Sequence, residues 1–200
     1  MDRYQNLYNA VSEIALRGGS HLRFLEVGTY DGVRACQLLR FFLSSHHKRS
    51  ASYWGFDLFE EMTEEMTQAE MSKSKLPPSK SQVEQRMSAV NSLKVQLFKG
   101  NTRDTLKLVG PKLPKMDLIF IDGGHSLETI ESDWEGVKGC IDPGTIVLFD
   151  DYYENREDYG CKTLVSVLKA CPHYKVRLLE PLDVVERTKL NIRMAELRLA

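Results

Sequence analysis

The sequence predicts an α/β fold built on a mostly parallel sheet with helices on both faces. Two observations carry that expectation: helix-period blocks alternate with short apolar runs, and most of those runs stop at a glycine or an aspartate. A third bounds it, since 200 residues suffice for one ordinary domain.

Residues 3–17 carry Tyr4, Leu7, Tyr8, Val11 and Ile14 at helical spacing, and Gly18 with Gly19 ends the block. RFLEVG at 23–28 reads as a short buried strand closing in glycine. A helix is expected from Val33 to Phe42, running out in His46, His47, Lys48 and Arg49, whose charge suits the negative end of a helix dipole. SYWGFD, KVQLFKG, MDLIFID and TIVLFD are the next strands. Leu127, Ile130, Trp134 and Val137 give the helix between the last two a single apolar face, and Trp54 and Trp134 are expected in the core. After a helix around 161–170, YKVRLLE and KLNIRMAELRL read as an antiparallel pair covering one sheet edge. Right-handed crossovers place the helices on the two faces. Arg187, Lys189, Arg193 and Arg198 are expected to face solvent or a partner.

Residues 59–92 break the rhythm. Met62, Met66, Met71 and Met87 lie among many Glu and Lys, and LPPSKS interrupts the stretch. A helical pair with a solvated face and a methionine-built lid over a ligand crevice are both compatible with it.

Twenty-seven Lys and Arg against 28 Asp and Glu leave a net charge of −1, so neither nucleic acid nor an anionic membrane is an expected partner. No apolar run approaches the roughly 18 residues of a membrane span. The polar, amphipathic start reads as a helix and not as a secretory signal. Cys36, Cys140, Cys161 and Cys171 form no CxxC pair and no zinc-finger spacing, the pattern of reduced thiols in a cytoplasmic protein.

Open α/β sheets bind ligands at the carboxyl ends of their strands. The first strand-to-helix turn reads Glu26, Val27, Gly28, Thr29, Tyr30, Asp31, Gly32. Dinucleotide enzymes have glycine where Tyr30 stands, so the backbone here is poorly suited to a pyrophosphate, and no Walker Gly-Lys-Ser/Thr follows. Gly28, Thr29, Tyr30 and Gly32 remain cofactor-binding candidates. Glu26 is an acid within an apolar strand, costly unless it meets a cation or several donors. A ligand with an ammonium and a sulfonium but no phosphate supplies that cation, which favours S-adenosylmethionine over a nicotinamide dinucleotide. Asp57, at the end of the second strand, is placed to accept both ribose hydroxyls. Asn101 with Asp104 reads as a helix N-cap, and an adenine contact from Asn101 or Thr102 is compatible with capping.

MDLIFID and TIVLFDD end in aspartate on successive strands, which puts Asp122 and Asp150 roughly 5 Å apart if those strands are neighbours, with Asp151 following. Three such carboxylates repel unless a proton or cation sits between them. All-oxygen ligands favour Mg²⁺ or Ca²⁺ and argue against zinc. Helix and turn capping by strand-end aspartates is the plainer alternative. His125, three residues after Asp122, has an ordinary pKa of about 6.5 that suits a general base.

FLEVGTYDGVRA followed by GFDLFEEM resembles the class I S-adenosylmethionine-dependent methyltransferases, from Glu26 through the closing strands. The first motif is similar to that of the catechol and caffeoyl-coenzyme A O-methyltransferases, whereas IFIDGGHS and VLFDDYY resemble the macrocin O-methyltransferase-like group. The resemblance implies a Rossmann-like seven-stranded sheet with an antiparallel terminal strand. It implies O-methylation of a small-molecule acceptor, metal ligands at Asp122, Asp150 and Asp151, and His125 where catechol-type relatives have a lysine base; Asp122 is also a catalytic and a cofactor-binding candidate. Many relatives are homodimers. The implied chemistry is in-line attack on the sulfonium methyl by a metal-bound hydroxyl that His125 deprotonates. One departure stands out: some metal-dependent sugar enzymes have a second acid in the DGGH-equivalent loop, where this chain has Gly123 and Gly124. Two rivals remain. Tyr30 speaks against a nicotinamide-dependent oxidoreductase, and the intact Asp122, His125, Asp150 and Asp151 set speaks against a non-catalytic binding module. The sequence does not specify the acceptor, whether sugar hydroxyl, phenol, carboxylate or nitrogen.

Overall fold

The computed structural model describes residues 2–45, 48–70, 76–185 and 189–200. The expectations attached to His46, His47, Met71 and Arg187 lie outside the described residues.

One sheet holds the strands His21–Val27 (β1), Ser50–Asp57 (β2), Leu93–Lys99 (β3), Leu118–Ile121 (β4), Ile146–Tyr153 (β5), Tyr174–Leu178 (β6), Asp183–Val185 (β7) and Leu190–Leu199 (β8). The order is β3-β2-β1-β4-β5-β8-β6, with β7 pairing β8 beside that path. β1 to β5 are parallel, and β8 runs antiparallel to β5, β6 and β7. The chain steps outward from β1 to β3 and then returns to β4, so strand order reverses between β1 and β4. The carboxyl ends of those two strands therefore open a crevice at the switch point.

The helices are Gln5–Leu16 (α1), Val33–Ser44 (α2), Glu64–Ala69 (α3), Lys80–Ser88 (α4), Thr102–Val109 (α5), Leu127–Val137 (α6) and Lys162–Ala170 (α7). Alternation along each strand splits the core in two. Leu22, Phe24, Tyr53, Phe120 and Leu148 pack against Leu7, Val11 and Ile14 of α1, Leu39 of α2 and Met87 of α4. Leu25, Val27, Phe56, Ile121 and Phe149 pack on the other face against Leu106 of α5, Trp134 of α6 and Val165 of α7. Trp54 joins this second cluster.

Three details add to the sequence reading and have physical causes. An eighth strand appears because residues 183–185, too short for a periodic signal, find open edge on β8. The 59–92 stretch divides in function: Val83, Met87 and Val90 are buried core, so α4 belongs to the scaffold, whereas Met62 and Met66 face the crevice. Arg193 and Arg198 do not simply face solvent. Arg193 pairs with Glu154 and Glu180, and Arg198 with Glu13 and Glu196.

Candidate active site

The β1–α2 turn is locked to its neighbours by backbone hydrogen bonds. Gly28 N–H donates to the Phe56 carbonyl at 2.9 Å, and Asp122 N–H to the Val27 carbonyl at 2.8 Å. Gly28 has φ +93, and a Cβ there would lie 1.9 Å from the Asp122 carbonyl oxygen, so only glycine lets β1 and β4 approach this closely. Asp57 completes the lock. Its Oδ2 accepts from the Tyr30 amide and its Oδ1 from the Phe59 amide, both at 2.7 Å. Tyr30 and Phe59 have φ +52 and +50, so one carboxylate holds two residues in the strained left-handed region. Burial pushes the Asp57 pKa up, and these amides oppose that shift.

Above this floor lies a cleft of about 310 Å³. Of the residues expected to bind a cofactor, Gly28, Tyr30, Asp57, Asn101, Thr102 and Asp122 line it. Asn101 also caps α5, its side chain accepting from the Arg103 amide at 3.0 Å. Phe56, Leu58, Arg103, Gly123, Gly124 and Thr129 complete the walls, and Met62, Met66, Thr67, Ala69, Glu70 and Pro77 approach from the insert.

Glu26, Thr29 and Gly32, the other cofactor-binding candidates, lie outside that lining. Glu26 is 2% exposed and shares the β1 face of Leu22 and Phe24. Its carboxylate accepts the Tyr53 hydroxyl, which also lies 3.0 Å from the Thr29 hydroxyl. Burial raises the Glu26 pKa to about 7 against the lowering effect of the Tyr53 bond. Within the chain the acid thus meets a hydroxyl and, up to neutral pH, holds a proton. Gly32 takes φ +68 ahead of α2 and packs under Val83.

Asp122, Asp150 and Asp151 come together as expected, each offering an oxygen within 4.8 Å of the others. The β5–β8 register shifts between Phe149 and Tyr152, and Asp151 has φ +57. This irregularity brings consecutive side chains to the same cluster, which regular β alternation forbids. Burial, reinforced by mutual repulsion, pushes Asp122 far above the usual carboxylate range and Asp150 above it too. Asp151 goes the other way: burial opposes ionisation, but the His125 ring, with Nε2 at 2.9 Å, overcomes it. His125 is correspondingly raised, its burial outweighed by Asp151.

Two arginines that sequence reasoning missed complete the cluster. Arg34 donates to Asp122 Oδ2 at 2.8 Å. Arg3 grips both Asp150 oxygens, at 2.7 and 3.1 Å, and reaches Asp183 at 2.9 Å. Tyr4 lies beside both, its ring 3.5 Å from the Arg34 guanidinium carbon. The three carboxylates fit a hard divalent ion by donor type and convergence. Asp150 Oδ1 already accepts from both Arg3 and the Asp151 amide, whereas Oδ2 accepts from Arg3 alone and keeps a lone pair for an ion, with which the guanidinium would compete.

Behind the cleft, Asp133 of α6 is fully buried, and the Thr102 hydroxyl approaches it without a well-formed hydrogen bond to either oxygen. Burial raises its pKa to about 7. An acid whose folded pKa exceeds its unfolded value gives full stability below the unfolded pKa and loses it as pH rises to the folded one. Stability should therefore drain between about pH 4 and 7. Asp133→Asn should raise Tm by about 8 °C or more at pH 8 and by only about 2–4 °C at pH 4.5. Equal shifts at the two pH values in thermal melts would show that Asp133 does not ionise in this way.

Residues 25–152 match a family model described as a methyltransferase domain. The comparison with curated proteins finds no match. Among solved structures, the O-methyltransferase NovP superposes with a TM-score of 0.66 at 20% identity, over 96% of this chain and 78% of that one. The calicheamicin methyltransferase CalS11 gives 0.60 at 16% identity, over 97% of this chain and 78% of that one. MycE of the mycinamycin biosynthetic pathway, solved with Mg and S-adenosylhomocysteine, gives 0.58 at 14% identity over 98% of this chain and 49% of that one. At these identities the likeness is one of fold.

Proposed function

The chain belongs to the methyltransferase-domain family, and on that footing we propose that it transfers a methyl group from S-adenosylmethionine to a small-molecule hydroxyl beside a divalent ion. One observation carries the reading: Asp122 lines the cofactor-sized cleft and is also a member of the acid cluster, so the two sites adjoin. NovP's name as an O-methyltransferase and the Mg with S-adenosylhomocysteine in MycE support it.

When bound, S-adenosylmethionine supplies the electrophilic methyl group, and a divalent ion lowers the pKa of an acceptor hydroxyl. Asp122, Asp150 and Asp151 would hold Mg²⁺ or Ca²⁺. Asp57 would hold the ribose, while Asn101 and Thr102 stand where the cleft would receive the base. Residues 59–70 act as the lid that excludes water. His125 takes the acceptor's proton, and Asp151 orients its ring and stabilises the imidazolium. Asp122, shared by the cleft and the acid cluster, would help hold acceptor and methyl donor together, and that proximity would supply much of the acceleration.

Incubating the protein with radiolabelled S-adenosylmethionine and a panel of phenols and sugars, with and without EDTA, tests this reading. Label should pass to a hydroxyl compound and EDTA should stop it. His125→Ala should cut turnover by about 10²–10⁴-fold while leaving S-adenosylhomocysteine affinity unchanged; wild-type turnover would remove His125 as base. A metal-free transferase is the second reading, favoured by Arg3, Arg34 and His125 already pairing with the three carboxylates. Transfer that survives EDTA selects it.

A further inference from the structure

We infer that Glu70 is a positioning residue that couples closure of the insert over the cofactor cleft to the placement of His125. This rests on the cofactor reading above. Glu70 stands at the C-terminal end of α3, in the segment that roofs the cleft. Its Oε2 accepts from the Ser126 amide at 2.7 Å, and its Oε1 from the Ser126 hydroxyl at 3.1 Å and the Thr129 hydroxyl at 2.8 Å. Ser126 is the N-cap of the 11-residue α6 and directly follows His125. The carboxylate thus meets the positive end of a helix dipole on the turn that presents the base. Partial burial pushes the Glu70 pKa up, but the Ser126, Thr129 and His125 donors hold it below the usual carboxylate range.

The double glycine in DGGH now has a reason. A Cβ on Gly124 would lie 2.7 Å from Glu70 Oε2 and 2.8 Å from Thr129 Cγ2. Any side chain there would drive the Glu70 carboxylate away. The loop carries no acid of its own at Gly123 or Gly124, and one arrives instead from Glu70, 56 positions upstream of Ser126.

A second clamp works at the same place. The Tyr159 hydroxyl donates to the Ala69 carbonyl, and the Gly160 amide donates to the His125 carbonyl at 2.8 Å. One loop therefore holds both the end of α3 and the residue read as the base. Arg103 on the cleft wall reaches the Thr129 hydroxyl at 3.0 Å, which ties the network back to the cofactor side. Movement of the end of α3 away from the cleft would therefore break the Glu70 bonds to α6 and the Tyr159 bond to Ala69, on the turn and loop that hold His125.

The test uses S-adenosylhomocysteine as probe on wild-type, Glu70→Gln and Glu70→Ala proteins, with melting curves to verify folding. Calorimetry reads affinity, and the His125 ring resonance, assigned by its loss in His125→Asn, reads placement of the base. In wild type, saturation should shift and sharpen that resonance. Glu70→Ala should bind about tenfold more weakly, and its His125 resonance should barely respond at saturation. Glu70→Gln keeps one acceptor oxygen and should fall between, which retains a test if the alanine variant fails to fold. Wild-type affinity in the variants, or a wild-type His125 response in them, overturns the coupling. So does a wild-type His125 that ignores saturating ligand. Wild-type protein that does not bind the probe overturns the cofactor reading itself.

Discussion

Asp57→Ala should weaken S-adenosylhomocysteine binding by about a hundredfold or more. Two losses combine. The variant loses the acceptor placed for the ribose hydroxyls, and hydrogen bonds to a charged group contribute about 1.5–3 kcal/mol each. It also frees Tyr30 and Phe59, whose amides Asp57 holds at 2.7 Å and whose positive φ values cost about 1–3 kcal/mol each to maintain. The turn around Gly28 and the start of the insert would both relax, so affinity should fall further than ribose contacts alone require. Asp57→Asn keeps one side-chain acceptor and should sit between. Calorimetric titration decides it; an unchanged dissociation constant in Asp57→Ala would remove Asp57 from the cofactor site.

Asp150→Asn should reduce Mn²⁺ affinity, read by the electron paramagnetic resonance of free ion, by more than about a hundredfold. Asp150 is central because it is buried, sits on the β5 irregularity and faces both Asp122 and Asp151. The opposite change should come from its partner. Arg3 grips both Asp150 oxygens, so it competes with any ion, and Arg3→Gln should bind Mn²⁺ about tenfold more tightly. Asp150→Asn that binds Mn²⁺ like wild type would end the metal claim. Arg3→Gln that binds more weakly would mean that the guanidinium organises the cluster instead of occupying it.

Much of the fold was legible because its signals are local. Period-3.6 stripes such as Leu7, Val11 and Ile14 and short apolar runs such as LIFI each declare their own element. The acid cluster was legible too, since aspartate at the ends of successive strands must converge if the sheet is parallel. The bulge that brings Asp150 and Asp151 to the same cluster left no sequence signal. Glu26 shows the limit from the other side. Its presence in an apolar strand announced an unusual partner, and the partner that the chain itself supplies is the hydroxyl of Tyr53 on the adjacent strand, fixed by β1–β2 register. Arg3, Arg34 and Glu70 were missed for the same reason. Each is an ordinary surface-type residue in the sequence, and topology alone brings it to Asp150, Asp122 or Ser126. Gly124 was noticed as an absence of acid; only the structure shows that the space belongs to Glu70.

The most direct test of the central claim is a calorimetric titration of the wild-type protein with S-adenosylhomocysteine, with NADH as the competing ligand. The cleft floored by Gly28 and Asp57, with Tyr30 in place of a dinucleotide glycine, should give saturable one-to-one binding of S-adenosylhomocysteine and no heat with NADH. Saturable NADH binding with no response to S-adenosylhomocysteine would contradict it.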